Sequence, residues 1–186
     1  MTDRECHFFR EPNPGEVLIG IWTRGHDDMD AAIKFLTRRP GEHAAFIRAS
    51  GNVIENFYPH VRERGWSPGE RMNVEEYRIA GSNPDDWDML ERWFDAELAD
   101  PPPYSIADLF RYAFNMPPKP GLPCFCSQWV LRGIRENLSP CKQPLVRLEY
   151  EDFAAPGDLR CSPLLIQREK IMPGVLNKFA AMNRHP

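Results

Sequence analysis

The stretch EHAAFIRASGNVIENF, residues 42 to 57, holds two short apolar segments around a polar turn. HAAFIRA and VIENF are rich in Ala, Phe, Ile and Val, and the turn residues Ser50, Gly51 and Asn52 separate them. Apolar runs of this length bounded by turn residues read as strands, and so short a connection reads as a hairpin. His43 opens the first strand, and Glu55 is the one charge inside the second. If Ser50-Gly51-Asn52 closes the hairpin directly, Glu55 faces Ile47, because a shift of register moves every cross-strand partner. Glu55 then shares the face of His43 but lies four positions away, roughly 13 Å along the strand at about 3.3 Å per residue. Only a wider turn or a bulge brings the two together. By the simple count His60 comes nearer to His43, so His60 stands as the alternative partner.

Outward from the hairpin the pattern is mixed. EVLIGIWT (16–23) suits a strand with both faces covered, and VEEYRIA (74–80) suits another. DDMDAAIKFLTRR (27–39) spaces Met29, Ile33 and Leu36 as a helix does, with acids first and arginines last to match the helix dipole. Asn83 caps a second helix, with Pro84 at its first position and Trp87, Leu90, Phe94 and Leu98 as its apolar stripe. Ser105 and Asp108 have capping-box spacing for a third, whose buried side is expected to include Leu109, Phe110 and Ala113. SQWVLRGIREN puts Val130, Ile134 and Leu138 on one face of a last helix, and PLVRLEYEDF (144–153) returns to strand alternation. Strands and helices without a regular β-α-β alternation predict an α+β fold, an antiparallel sheet packed against helices.

A chain of 186 residues is long enough for one domain with a proper core, and we read residues 1–186 as a single domain. A net charge of −4 and the lack of any Lys/Arg run argue against nucleic acid as a partner. No apolar run approaches bilayer length, and MTDRECHFFR has no signal-peptide core. The expectation is a cytoplasmic protein without an integral membrane segment. The 19 prolines cluster in EPNPG, DPPPY and MPPKPGLP, which read as ordered loops because apolar residues surround them. Five cysteines without paired C-x-x-C spacing leave a structural zinc site to be assembled from scattered ligands, and neither a metal nor a cofactor is expected.

LPCFCSQWVLRG (122–133) places two thiols directly before the last helix. A helix N-terminus favours a thiolate through its dipole, and its N–H groups suit an oxyanion. Cys126 sits at that start, while Cys124 lies two residues back in a proline-bounded loop. The plain alternative for Cys126 is a small buried apolar residue. A thiolate enzyme also needs a base, usually His, held in one tautomer by a third polar group.

The histidine, apolar strand, glycine turn, apolar strand and polar residue of EHAAFIRASGNVIENF resemble a segment of the NlpC-type papain-fold hydrolases. The interval of twelve from His43 to Glu55 is similar to the one those enzymes place between base and orienting residue. FCSQWV resembles their nucleophile motif. The histidine here precedes the cysteine, as in the circularly permuted branch called YiiX-like or YaeF-like, which also tends to carry Glu as third member. PYSIADLF before the cysteine and APGDLRCSP near the end are further points of likeness, spread over residues 15 to 165.

The resemblance implies a circularly permuted papain-like fold and a cysteine hydrolase acting on an amide bond through a thioester acyl-enzyme. Cys126 would be nucleophile, His43 base and Glu55 the orienting group; Tyr104 and Ser127 would line the substrate or oxyanion site. The substrate class implied is a small peptide or acyl amide, cell-wall-derived by family habit. The chain departs from the pattern at Gln128, where the family often has an acid, and in the extra thiol Cys124. Competing readings are a thiol acyltransferase or lipid amide hydrolase of the same fold, and a binding module without activity. The Asn-Cys-Glu of the acyltransferase relatives is replaced here by Phe125-Cys126-Ser127, which weighs against the first of these.

Overall fold

The computed structural model describes residues 8–9, 13–23, 43–114, 124–137, 159, 165–168 and 170–171. Its strands are β1 (Phe8–Phe9), β2 (Leu18–Trp22), β3 (His43–Ile47), β4 (Val53–Phe57), β5 (His60–Arg64), β6 (Val74–Ile79), β7 (Leu165–Gln167) and β8 (Lys170–Ile171). Its helices are α1 (Pro84–Ala99), α2 (Ile106–Ala113) and α3 (Cys126–Asn137), with a 3-10 turn over Glu70–Asn73. The helix read over 27–39 and the strand read over 144–153 lie outside the described residues.

The fold is α+β. Six strands form one sheet in the order β5-β4-β3-β2-β6-β7, every neighbouring pair antiparallel. β1 and β8 make a separate two-stranded ribbon. Every residue of β2 and of β3 is buried, as expected for strands covered on both faces. One face carries Ile19, Ile21, Ala44, Phe46 and Ile54 against Leu90 and Phe94 of α1 and Trp129, Val130 and Ile134 of α3. The other face gathers Trp22, Ala45, Val53 and Val74 with Trp66. The alternation along β3, with Ala44 and Phe46 on one side and Ala45 on the other, follows from the period of two along a strand.

Phe46 sits at the junction of sheet and helices, with its ring centroid 5.0 Å from Phe94 and 5.5 Å from Trp129. Trp93 lies 4.9 Å from Trp129, closing an aromatic layer between α1 and α3. Gly133 makes this approach possible: a Cβ there would meet the Trp93 ring at 2.7 Å and Phe46 at 3.0 Å. α1 starts as its sequence indicates. Asn83 and Asp86 form a reciprocal capping box and Pro84 fills the first turn, where a missing N–H costs nothing.

Two expectations are corrected. The hairpin loop is not Ser50-Gly51-Asn52 but a loop of the same length shifted by one residue, with neither the wider turn nor the bulge that was expected. Arg48 N–H donates to Asn52 O at 2.9 Å and Gly51 N–H to Arg48 O at 2.8 Å, so the loop is Ala49-Ser50-Gly51. Gly51 takes φ +86°, the left-handed residue that ends a three-residue hairpin loop. The ladder pairs Ile47 with Val53 and Phe46 with Ile54. Extending that register puts Glu55 opposite Ala45, not Ile47, and only one diagonal step from His43. Phe110, read as buried, is 47% exposed. Leu109 is buried beside Tyr104 and Cys126, and Phe110 lies about 100° further round a short helix, off that face.

Candidate active site

His43 is the first residue of β3, on the sheet face it shares with its cross-strand partner Trp22. The imidazole is buried between two aromatic edges, Trp22 at 5.3 Å and Phe57 at 5.6 Å between centroids. Its Nε2 meets Oε2 of Glu55 at 2.9 Å. The one-step diagonal offset suits this, since such neighbours lie about 7–8 Å apart at the backbone and two long side chains span the gap.

Glu55 is 1% exposed, and a carboxylate buried to that degree needs compensation. β5 supplies it. Arg62, directly opposite in the ladder, donates from Nε at 2.9 Å, and Arg64 donates from Nε at 2.7 Å. Arg64 is itself fixed by Glu70 at 2.6 Å, and Glu70 also accepts from Trp22 Nε1 at 2.8 Å and Ser67 N–H at 2.8 Å. Burial pushes the Glu55 carboxyl up, but the His43 bond, the His43 charge and Arg64 outweigh it and hold the group well below the usual carboxylate range.

The same balance runs in the opposite sense at His43. Burial disfavours the imidazolium, yet the Cys126 thiol and Glu55, each through hydrogen bonding and charge, raise its pKa above the ordinary histidine value. Nε2 is committed to Glu55, so Nδ1 is the ring atom left for sulfur. Nδ1 is buried and completes no hydrogen bond of normal geometry among the described residues.

Cys126 is the first residue of α3, with Phe125 as its cap residue. Phe125 N–H donates to Gln128 Oε1 at 3.1 Å, and Trp129 N–H to Phe125 O at 3.0 Å. Gln128 is therefore the reach-back half of a capping box, a task open to Gln as well as to Glu. Cys126 stands at the positive end of the helix dipole. It is fully buried in a cluster with Tyr104, Leu109 and Phe125, and Ile106 packs alongside. Ser127 is fully buried too.

Cys124 differs in every respect. It packs against the main core, and burial pushes its thiol up to about 11 despite the nearby Arg132 charge. Its carbonyl accepts from Asn56 Nδ2 at 2.7 Å and from Ser105 N–H at 3.2 Å. Tyr104, next to Ser105, donates its N–H to Pro59 O at 2.9 Å, which ties the tyrosine segment to the β4–β5 turn. His60 is exposed, and its Nδ1–H donates to the carbonyl of Val61 at 2.9 Å. It takes no part in the His43–Glu55 pair.

The fold thus gathers His43, Glu55, Cys126 and Tyr104 into one region and leaves His60 on the surface. Arg62, Arg64, Glu70, Trp22 and Asn56 belong to the same assembly and were not singled out by the sequence. The arginine pair had one legible signal, two cations at alternate positions seven and nine residues after the one charge of VIENF.

No known protein-family model matches this chain, and no curated protein matches its sequence. Among the described residues no group of three His, Cys, Asp or Glu side chains is arranged to hold a metal ion. No described helix is long and apolar enough to cross a membrane.

Proposed function

We propose that this chain is a cysteine hydrolase that cleaves an amide bond, on a circularly permuted papain-like scaffold of the NlpC type. The observation that carries the reading is the buried His43, bonded to Glu55 through Nε2 at 2.9 Å, on a strand against which α3, with Cys126 as its first residue, is packed. A thiol at a helix start, an imidazole beside it and a carboxylate behind the imidazole are the three groups that nucleophilic acyl transfer requires.

In this mechanism the Cys126 thiolate attacks the carbonyl carbon of the substrate, and the carbonyl π electrons move to oxygen. The N-terminal N–H groups of α3 face the negative charge that develops there, with Tyr104 and Ser127 at hand in the same region. Collapse breaks the C–N bond, His43 gives its proton to the departing amine, and a thioester remains on Cys126. Neutral His43 then takes a proton from water, hydroxide adds to the thioester, and the C–S bond breaks to release the acid and restore the thiolate. Glu55 stays ionised throughout and stabilises the imidazolium. Because Cys126 is fully buried, the apolar cluster of Tyr104, Ile106 and Leu109 has to part before a carbonyl reaches the sulfur.

The substrate class that suits the reading is a small peptide or an acyl amide. A library of such amides, screened for turnover with wild type, Cys126→Ala, His43→Ala and His60→Ala, tests it. Cys126→Ala and His43→Ala should abolish turnover, and His60→Ala should retain at least half. Turnover that survives Cys126→Ala, or that His60→Ala removes as completely as His43→Ala, overturns the assignment.

A further inference from the structure

We propose that Asn56 is a positioning residue that sets the main chain two residues before Cys126 and so places the sulfur beside His43. The inference rests on the reading of Cys126 as nucleophile. Glu55 and Asn56 are neighbours on β4, and successive side chains of a strand point to opposite faces. Glu55 turns to His43, and Asn56 turns to the segment that enters α3, where its Nδ2 donates to the Cys124 carbonyl at 2.7 Å. One strand therefore holds the base from one side and the approach to the nucleophile from the other.

Stability alone does not explain an asparagine at this place. Asn56 is 0% exposed, and its Oδ1 has no hydrogen-bond partner among the described residues. The net gain from one neutral hydrogen bond is smaller than the cost of burying an acceptor with no partner. The Cys124 carbonyl also keeps a second donor, Ser105 N–H at 3.2 Å, so it is not stranded when Asn56 is lost. An apolar residue of the same size should therefore fold as well or better. What it forfeits is the link between β4 and the residue two before the sulfur, leaving Ser105 N–H as the remaining hydrogen bond to the Cys124 carbonyl among the described residues.

The experiment reads the rate at which iodoacetamide modifies Cys126, by mass spectrometry, at acidic and at alkaline pH. A thiolate paired with imidazolium keeps reacting in acid, whereas a thiol cut off from its partner does not. The acid-to-alkaline rate ratio cancels changes in access to the buried sulfur, and Cys124, with its raised pKa, serves as the unpaired reference in each sample. With Asn56→Leu the ratio for Cys126 should fall at least tenfold while the melting temperature stays level or rises. A smaller change in the ratio overturns the proposal. Should Asn56→Leu fail to fold, Asn56→Asp, which has the same outline without the N–H donor, is read by the same criterion. His43→Ala runs in parallel. If it leaves the ratio unchanged, the nucleophile reading itself fails; if it lowers the ratio and the Asn56 variant does not, only the role of Asn56 falls.

Discussion

Replacing Glu55 by Gln preserves the outline of the side chain and one acceptor for His43, and it withdraws the charge. Three cations now share that carboxylate, and they should not lose equally. The side chains of Arg62 and Arg64 are 43% and 26% exposed, and Arg64 keeps Glu70 at 2.6 Å. Pairs of that exposure contribute about 0–1 kcal/mol each. His43 and Glu55 are 4% and 1% exposed, and a buried hydrogen bond to a charged group is worth about 1.5–3 kcal/mol. Most of the loss should therefore be coupling to His43, which a double-mutant cycle with His43→Leu isolates.

The pH dependence of that coupling has a definite sign. Glu55 is depressed from 4.5, so its contribution is complete above that pH and is lost as pH falls through the folded value. His43 is raised from 6.5, so its contribution is complete below that pH and is lost as pH rises through the folded value. Both are complete only between 4.5 and 6.5. Urea unfolding of the four proteins should give a coupling of about 1.5–3 kcal/mol near pH 5.5 and a smaller one near pH 9. A coupling under about 0.5 kcal/mol near pH 5.5, or one that grows toward pH 9, would refute the charged pair.

Two further outcomes concern the frame that carries the site. Gly133→Ala gains about 1 kcal/mol of helix propensity but drives a Cβ to 2.7 Å from the Trp93 ring and 3.0 Å from Phe46; with overpacking at about 1–3 kcal/mol, thermal melts should show a net loss, and a variant as stable as wild type contradicts the packing. Arg48 joins the β3–β4 hairpin to Glu63 at 2.8 Å, Glu91 at 2.7 Å and Asp95 at 2.8 Å, so Arg48→Met should cost about 1.5–3 kcal/mol in urea unfolding, and Arg48→Lys should recover less than half because an ammonium cannot reproduce the fork. A neutral Arg48→Met would mean that the hairpin is held by its apolar residues alone.

The hairpin was legible because turn residues flank two apolar runs, and so were the caps of α1 and the start of α3, each set by residues within one helical turn. The register was not legible. Ser50, Gly51 and Asn52 suit a turn centred on Gly51 as well as one centred on Ser50, and only the +86° φ at Gly51, with the Arg48–Asn52 bond, selects the second. That one-residue difference moves Glu55 by two positions and decides between an orienting group within reach of His43 and one roughly four residues off. Asn56 was hidden for another reason: its partner lies 68 residues along the chain, a separation at which local pattern carries no information.

β5 escaped notice because HVRER has a single fully buried apolar residue, Val61, and otherwise reads as a polar loop. As an edge strand it needs little more, since only one neighbour must be satisfied. Its charges are also what the site requires. Glu55 remains ionised at 1% exposure because His43 at 2.9 Å and then Arg64 at 2.7 Å outweigh its burial, with Arg62 also donating at 2.9 Å, and an ionised Glu55 in turn keeps His43 charged inside the protein. With valines at positions 62 and 64 the strand would be plain in the sequence, and the carboxylate would face His43 with no other cation beside it. Burial would then be opposed by His43 alone, the carboxyl pKa would rise from its depressed position, and the imidazolium would be held less firmly. The residues that conceal the strand from a pattern of apolar alternation are among those that steady the buried pair.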